Sequence, residues 1–137
     1  MRMRRLTAMM AGAVAATLAL PLAAADAPTL AVLRGLELGQ WQLREIGPRG
    51  GERSICLGDM ETLIQLQHPR GGCSRYVIDD RTAHGTIHYT CPGSGYGRTT
   101  IDLVTPRSVR IETQGVASGA PFHLELNARR MGACTGN

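Results

Sequence analysis

The stretch CSRYVIDDRTAHGTIHYTCPGSGYGRTTIDLVTPRSVRIETQGVASGAPFHLELNAR, residues 73–129, decides the fold. It divides into short runs, CSRYVID (73–79), TIHYTC (86–91), RTTIDLV (98–104), SVRIET (108–113) and FHLELNAR (122–129). Within each run apolar and polar residues alternate, the two-residue period of a strand with one buried side. Between them lie a polar connection (Asp80–Gly85), glycine-rich PGSGYG (Pro92–Gly97), the turn TPR and the segment QGVASGAP. Strands this closely spaced, joined by tight turns, predict an all-antiparallel meander.

Register follows from aligning apolar with apolar. Facing Ile101 with Ile111 and Leu103 with Val109 leaves a three-residue turn, a common hairpin length. The next hairpin is expected to set Ile111 opposite Leu124 and Val109 opposite Leu126. The other face then carries Asp102, Arg110 and Glu125 in a row, with His123 opposite Glu112, the charge alternation of a solvated side. In the hairpin around Thr82, Val77 faces Ile87 and Arg75 faces Tyr89, which brings Cys73 opposite Cys91. Directly opposed residues of a non-hydrogen-bonded pair are close enough for a disulfide. Elimination leaves Cys56 to Cys134. The cysteine gaps of 17, 18 and 43 residues lack the short spacing of a zinc knuckle, so disulfides are expected and no metal.

Upstream of this stretch, LGQWQLREI (Leu38–Ile46) alternates with Trp41 and Leu43 on one face, a further strand. Gly47–Gly51 reads as a turn, and Arg53–Leu57 as a short strand carrying Cys56. One short α-helix is expected next. Asp59 caps it, Glu61 suits its first turn, Met60, Leu63 and Ile64 share a face, and Pro69 stops it after His68. Residues 26–35 read as a lead-in with little structure. The expected architecture is therefore mainly β: a single curved antiparallel sheet, partly closed and barrel-like, with one short α-helix and two disulfides.

Residues 1–25 have the three parts of a secretory signal. Arg2, Arg4 and Arg5 precede an apolar stretch, Leu6–Leu22, and Ala23-Ala24-Ala25 supplies the small residues of a cleavage site before Asp26. The stretch is alanine-rich and short, which argues against a permanent membrane anchor. The expectation is a periplasmic protein whose single domain spans residues 26–137. All 15 basic residues of the chain are arginines, and removal of the signal leaves 12 against 11 acidic residues. A net charge of +1 and five aromatic rings (Trp41, Tyr76, Tyr89, Tyr96, Phe122) exclude the basic, ring-lined groove of a nucleic-acid binder.

The signal, the Gly39-Gln40-Trp41 motif on the first strand, the four spaced cysteines and the ending Arg130-Met131-Gly132-Ala133-Cys134 together resemble one group. It is the bacterial exported family catalogued as domain of unknown function 3617. The resemblance covers Leu36–Cys134, although the chain lacks a Met- and Pro-rich stretch found in many relatives before the first cysteine. It implies a small, exported, β-rich protein and carries no established activity, so no catalytic residue transfers from it.

The residues themselves offer no catalytic constellation. His68, His84, His88 and His123 lack the local spacing of a ligand pair. No Gly-x-Ser-x-Gly elbow occurs, and Gly93–Gly97 leads into a strand, so no helix end follows to hold a phosphate. Asp79 and Asp80 suit a hairpin end. No enzyme activity and no cofactor are expected. Two functions of different class remain. In the first, the concave aliphatic face, lined by Trp41, Val77, Ile87, Tyr89, Ile101, Leu103, Leu124 and Leu126, receives a small apolar or lipid-like molecule. In the second, those residues are simply core, and the protein is a structural or protein-interaction component of the cell envelope.

Overall fold

The computed structural model describes residues 28–135, so the expected signal lies outside the described residues. Seven strands form one antiparallel sheet: β1 (Gly39–Glu45), β2 (Glu52–Leu57), β3 (Ser74–Asp80), β4 (His84–Cys91), β5 (Gly95–Thr105), β6 (Ser108–Ala117) and β7 (Ala120–Gly132). Their spatial order is β2-β1-β7-β6-β5-β4-β3. The meander read from residues 73–129 is thus the run β3 to β7, and the β1–β2 hairpin is added beyond it through β1–β7 pairing. β2 and β3 remain as edges, so the sheet does not close into a barrel. The reason lies on its inner face, which the chain's own segments fill: Leu30, Val32, Leu33 and Leu36 from one side, and Met60, Leu63, Ile64 and Leu66 from another, are buried with Trp41, Leu43, Ile87, Ile101 and Ile111.

The first of these segments corrects the reading of residues 26–35. Ala31–Gly35 is a 3-10 helix with Val32 and Leu33 buried. Burying apolar side chains of a short LAVL run repays its ordering, and an Asp80 Oδ1 that accepts from the Ala31 amide at 2.7 Å pins it to the end of β3. The second segment is also a 3-10 helix, Met60–Leu63, in place of the expected α-helix. Asp59 does cap it, its Oδ1 accepting from the Glu61 amide at 2.9 Å. A single turn that includes β-branched Thr62 and is followed closely by Pro69 does not reach the length that repays α-nucleation, and short pieces take i→i+3 bonds. No helix among the described residues is long and apolar enough to cross a membrane.

Two of the three predicted registers hold. Val77 faces Ile87 and Arg75 faces Tyr89; Ile101 faces Ile111 and Leu103 faces Val109. The β6–β7 register is shifted by two: Ile111 faces Leu126 and Val109 faces Ala128. The cause is the turn. β6 runs on to Ala117, and the loop is only Ser118-Gly119, both at positive φ (50° and 80°), the two-residue hairpin turn that matches strand twist. Arg110 consequently faces Asn127 and His123 faces Gln114, yet the expected charge partners still meet diagonally. Arg110 reaches Glu125 at 3.2 Å and His123 reaches Glu112 at 3.2 Å.

Both disulfides have the predicted partners. Cys73–Cys91 staples the β3–β4 hairpin with Cα atoms 4.2 Å apart. Cys56–Cys134 ties β2 to the chain's end across 78 residues. Two such bonds fit an oxidising, extracytoplasmic compartment. The residues of the two sequence motifs meet here. A Cβ on Gly39 would run into the Gly132 carbonyl and the Arg130 guanidinium. Arg130 Nε donates to the Leu38 carbonyl at 2.7 Å, and the Trp41 indole donates to the Glu37 carbonyl at 3.0 Å. The motifs therefore have a structural use: they join β1 to β7 beside the long disulfide.

Candidate functional site

All eight residues expected to line a ligand face are taken up by the core or packed on it. Trp41, Ile87, Tyr89 and Ile101 are fully buried, and Val77 and Leu103 are half-buried against the same cluster. An open concave face is not what the chain builds, because residues 30–36 and 60–68 lie over most of it. Leu126, also buried, and Leu124, half-buried on the same cluster, additionally border a cleft at one corner of the sheet.

At this corner of β1, β2 and β7 a cleft of about 290 Å³ is lined by Leu43, Phe122, Leu124 and Leu126, with Glu45, Gly51, Glu52, Arg53 and Gln67 around it. Strand alternation explains the lining: Leu124 and Leu126 point inward from β7, and Leu43 points inward from β1. Arg53 is directly across from Leu43 on edge strand β2, so its cation sits beside the apolar floor. The Glu52 carboxylate is already engaged by Arg44 at 2.7 Å and by Gln42 at 3.1 Å. Chemically the cleft can shelter an apolar group and present a guanidinium to a polar end. Sequence reading placed Leu43 inward but offered no signal that Phe122, Gln67 and Arg53 would meet it, since that depends on where the 60–68 segment crosses.

A larger hollow, about 440 Å³, lies at the turn end of the final hairpin among His68, Pro69, Arg70, Pro92, Ser94 and Ser118, and adjoins the cleft through Gln67. Its floor is a polar network in the core. His68 is buried, and its Nε2 lies 3.2 Å from the Ser94 carbonyl and 3.1 Å from the Val116 carbonyl. Both are acceptors, so Nε2 carries a proton, and Nδ1 is hydrogen-bonded with the Tyr89 hydroxyl at 3.0 Å. Thr99 donates to the Ile64 carbonyl at 2.6 Å and pairs with Thr113 at 2.8 Å. Burial pushes the Tyr89 hydroxyl up from 10.0 to about 12, against a smaller lowering by its hydrogen bond with Thr113. Tyr89 lies across Gly97, where a Cβ would collide with the ring and its hydroxyl. These contacts hold the 60–68 cover to the sheet, and none leaves a nucleophile or base facing solvent with a free partner.

The remaining histidines lie on the outer face. His84 bonds Asp102 at 2.5 Å and belongs to β4, which starts earlier than the expected connection allowed. Asp79 accepts from Arg81 at 3.2 Å in the turn that follows β3. Among the described residues no group of three or more His, Cys, Asp or Glu is placed to hold a metal ion. Comparison of the chain with protein-family models, with curated proteins and with solved structures finds no match.

Proposed function

We propose that the protein is an exported, periplasmic binding module for a small apolar or lipid-like molecule. In this reading the signal is removed before Asp26, and the chain groups with the exported family of domain of unknown function 3617. The observation that carries the reading is the cleft at the β1–β2–β7 corner, the apolar part of the inner face that the chain's own segments leave open. A ligand's apolar part lies against Leu43, Phe122, Leu124 and Leu126, and its polar end meets Arg53 and Gln67. The role is binding and not catalysis, since no acid, base or nucleophile stands over the floor in a poised pair.

The test is displacement of a fluorescent naphthylamine probe by a medium-chain fatty acid, compared between wild type and Leu124→Arg. Leu124 is half-buried at the rim, so arginine there extends its charge to solvent while crossing the floor. Saturable probe binding that the fatty acid reverses, lost by about tenfold or more in Leu124→Arg with unchanged melting, is the expected result. Probe binding that is absent in wild type, or that survives Leu124→Arg unchanged, overturns the reading.

A further inference from the structure

On the outer face most charges are matched by neighbours: Arg44 with Glu52, Arg110 with Glu125, and His123 with Glu112. One area departs from this pattern. Tyr76, His88, Arg98, Gln114 and His123 are successive cross-strand partners from β3 to β7 and so form one row. At its centre Arg98 and Gln114 face each other, and neither side chain has a hydrogen bond or ion pair among the described residues. Two aromatic rings are left in water beside them. Tyr76 is 70% exposed and Tyr96 46% exposed, the latter inclined toward the His88 ring with centroids 6.0 Å apart.

The surface is hollowed here. One depression, about 290 Å³, is bordered by His88, Tyr96, Arg98, Gln114, Gly115 and Phe122. A second, about 230 Å³, is bordered by Arg98, Thr100, Glu112 and Gln114. Because they share Arg98 and Gln114, they form one groove along β5 and β6. From Tyr96 to Thr100 it runs roughly 13 Å at about 3.3 Å per strand residue.

We propose that this groove binds an acidic saccharide chain. A pyranose ring has apolar C–H faces and a rim of hydroxyls, and the groove supplies the complement to each. The Tyr96 ring offers a flat apolar surface with a polar end. Gln114 offers a donor and an acceptor at the groove's side, and Thr100, bonded to Thr86, and Glu112, bonded to His123, keep lone pairs beside it. Arg98, an unmatched guanidinium at the midpoint, takes a sugar carboxylate through paired N–H donors. A protein partner would call for a contiguous apolar patch, but polar side chains separate these rings. Phe122 borders both hollows, but none of the groove's polar residues lines the apolar cleft, so variants at Arg98 and Tyr96 leave the cleft's own lining intact and the two proposals are tested separately.

The experiment is a backbone-amide NMR titration of the oxidised protein with a short oligogalacturonate, a neutral malto-oligosaccharide of equal length, and inorganic phosphate. The uronate is expected to shift signals around His88, Tyr96, Arg98 and Gln114 saturably, with the neutral chain weaker by about tenfold. Arg98→Gln and Tyr96→Ala each lower uronate affinity by about tenfold, Arg98→Lys by less, and Arg49→Gln in the β1–β2 turn leaves it unchanged. Naphthylamine binding at the cleft is unaffected by any of them. Absence of saturable shifts, wild-type affinity in Arg98→Gln, equal binding of the neutral chain, or the same shifts with phosphate alone would each overturn the proposal. The exposed positions of Arg98 and Tyr96 keep the variants folded, and a melting curve on each confirms it.

Discussion

Removing the Cys56–Cys134 bond by the double substitution Cys56→Ala/Cys134→Ala isolates the largest covalent contribution to stability. In the chain-entropy model, a closed loop of 78 residues is worth about 4.5 kcal/mol at 25 °C, and the 18-residue loop of Cys73–Cys91 about 3.2 kcal/mol. Packing modifies the comparison. Cys56 is exposed and Cys134 half-buried, so alanine there costs little beyond the loop. Cys91 is 6% exposed and belongs to the core, so Cys73→Ala/Cys91→Ala adds on the order of 1 kcal/mol of lost packing. The two losses in free energy therefore come close, and the unfolded state separates them. Without the long bond the denatured chain opens everywhere outside the short 73–91 loop, so the urea m-value rises; without the short bond it changes little. Urea unfolding of both double variants and wild type, followed by circular dichroism, makes the comparison. The long-bond variant should lose about 4–5 kcal/mol and melt roughly 20 °C lower. A loss below about 2 kcal/mol, or a larger rise in m for the short-bond variant, would refute the loop-closure reasoning.

Three further outcomes follow from the core. The Tyr89 hydroxyl is raised from 10.0 to about 12, so its neutral form stabilises the fold fully below pH 10 and that contribution, ~3 kcal/mol at most, is lost as pH rises toward 12; alkaline melts should show this slope in wild type and lose it in Tyr89→Phe. Gly97→Ala should destabilise by about 1–3 kcal/mol, because its Cβ meets the Tyr89 ring, and pairing it with Tyr89→Ala should recover part of the loss in a double-mutant cycle. Leu63→Ala, at a fully buried position in the 3-10 cover, should cost about 2–5 kcal/mol and speed amide exchange in residues 60–68.

Cross-strand pairing explains what could be read from the chain. In the β3–β4 hairpin, Val77 and Ile87 set a register that the cysteines two steps outward confirm, so one pattern supports the other. Ile101, Leu103, Val109 and Ile111 do the same for β5–β6. The β6–β7 register slipped because Ser118-Gly119 is a two-residue turn whose serine occupies a positive φ, a conformation that serine does not advertise. Residues 30–36 carried an apolar signal in Leu30, Val32, Leu33 and Leu36, but its period matches neither a full helix nor a strand. The candidate site was legible in part. Inward-facing Leu124 and Leu126 were identified by alternation, while Phe122, Arg53 and Gln67 come together only through the path of the covering segment. That path depends on long-range contacts such as Thr99 with the Ile64 carbonyl and His68 with Tyr89, which no local pattern encodes.

Native mass spectrometry of the protein released from the periplasm, without refolding, tests the ligand-binding account most directly. The mature chain should begin at Asp26 and carry a small amphiphile that organic solvent removes and that Leu124→Arg purified in the same way does not retain. A bare wild-type chain, or the same added mass on Leu124→Arg, would contradict it.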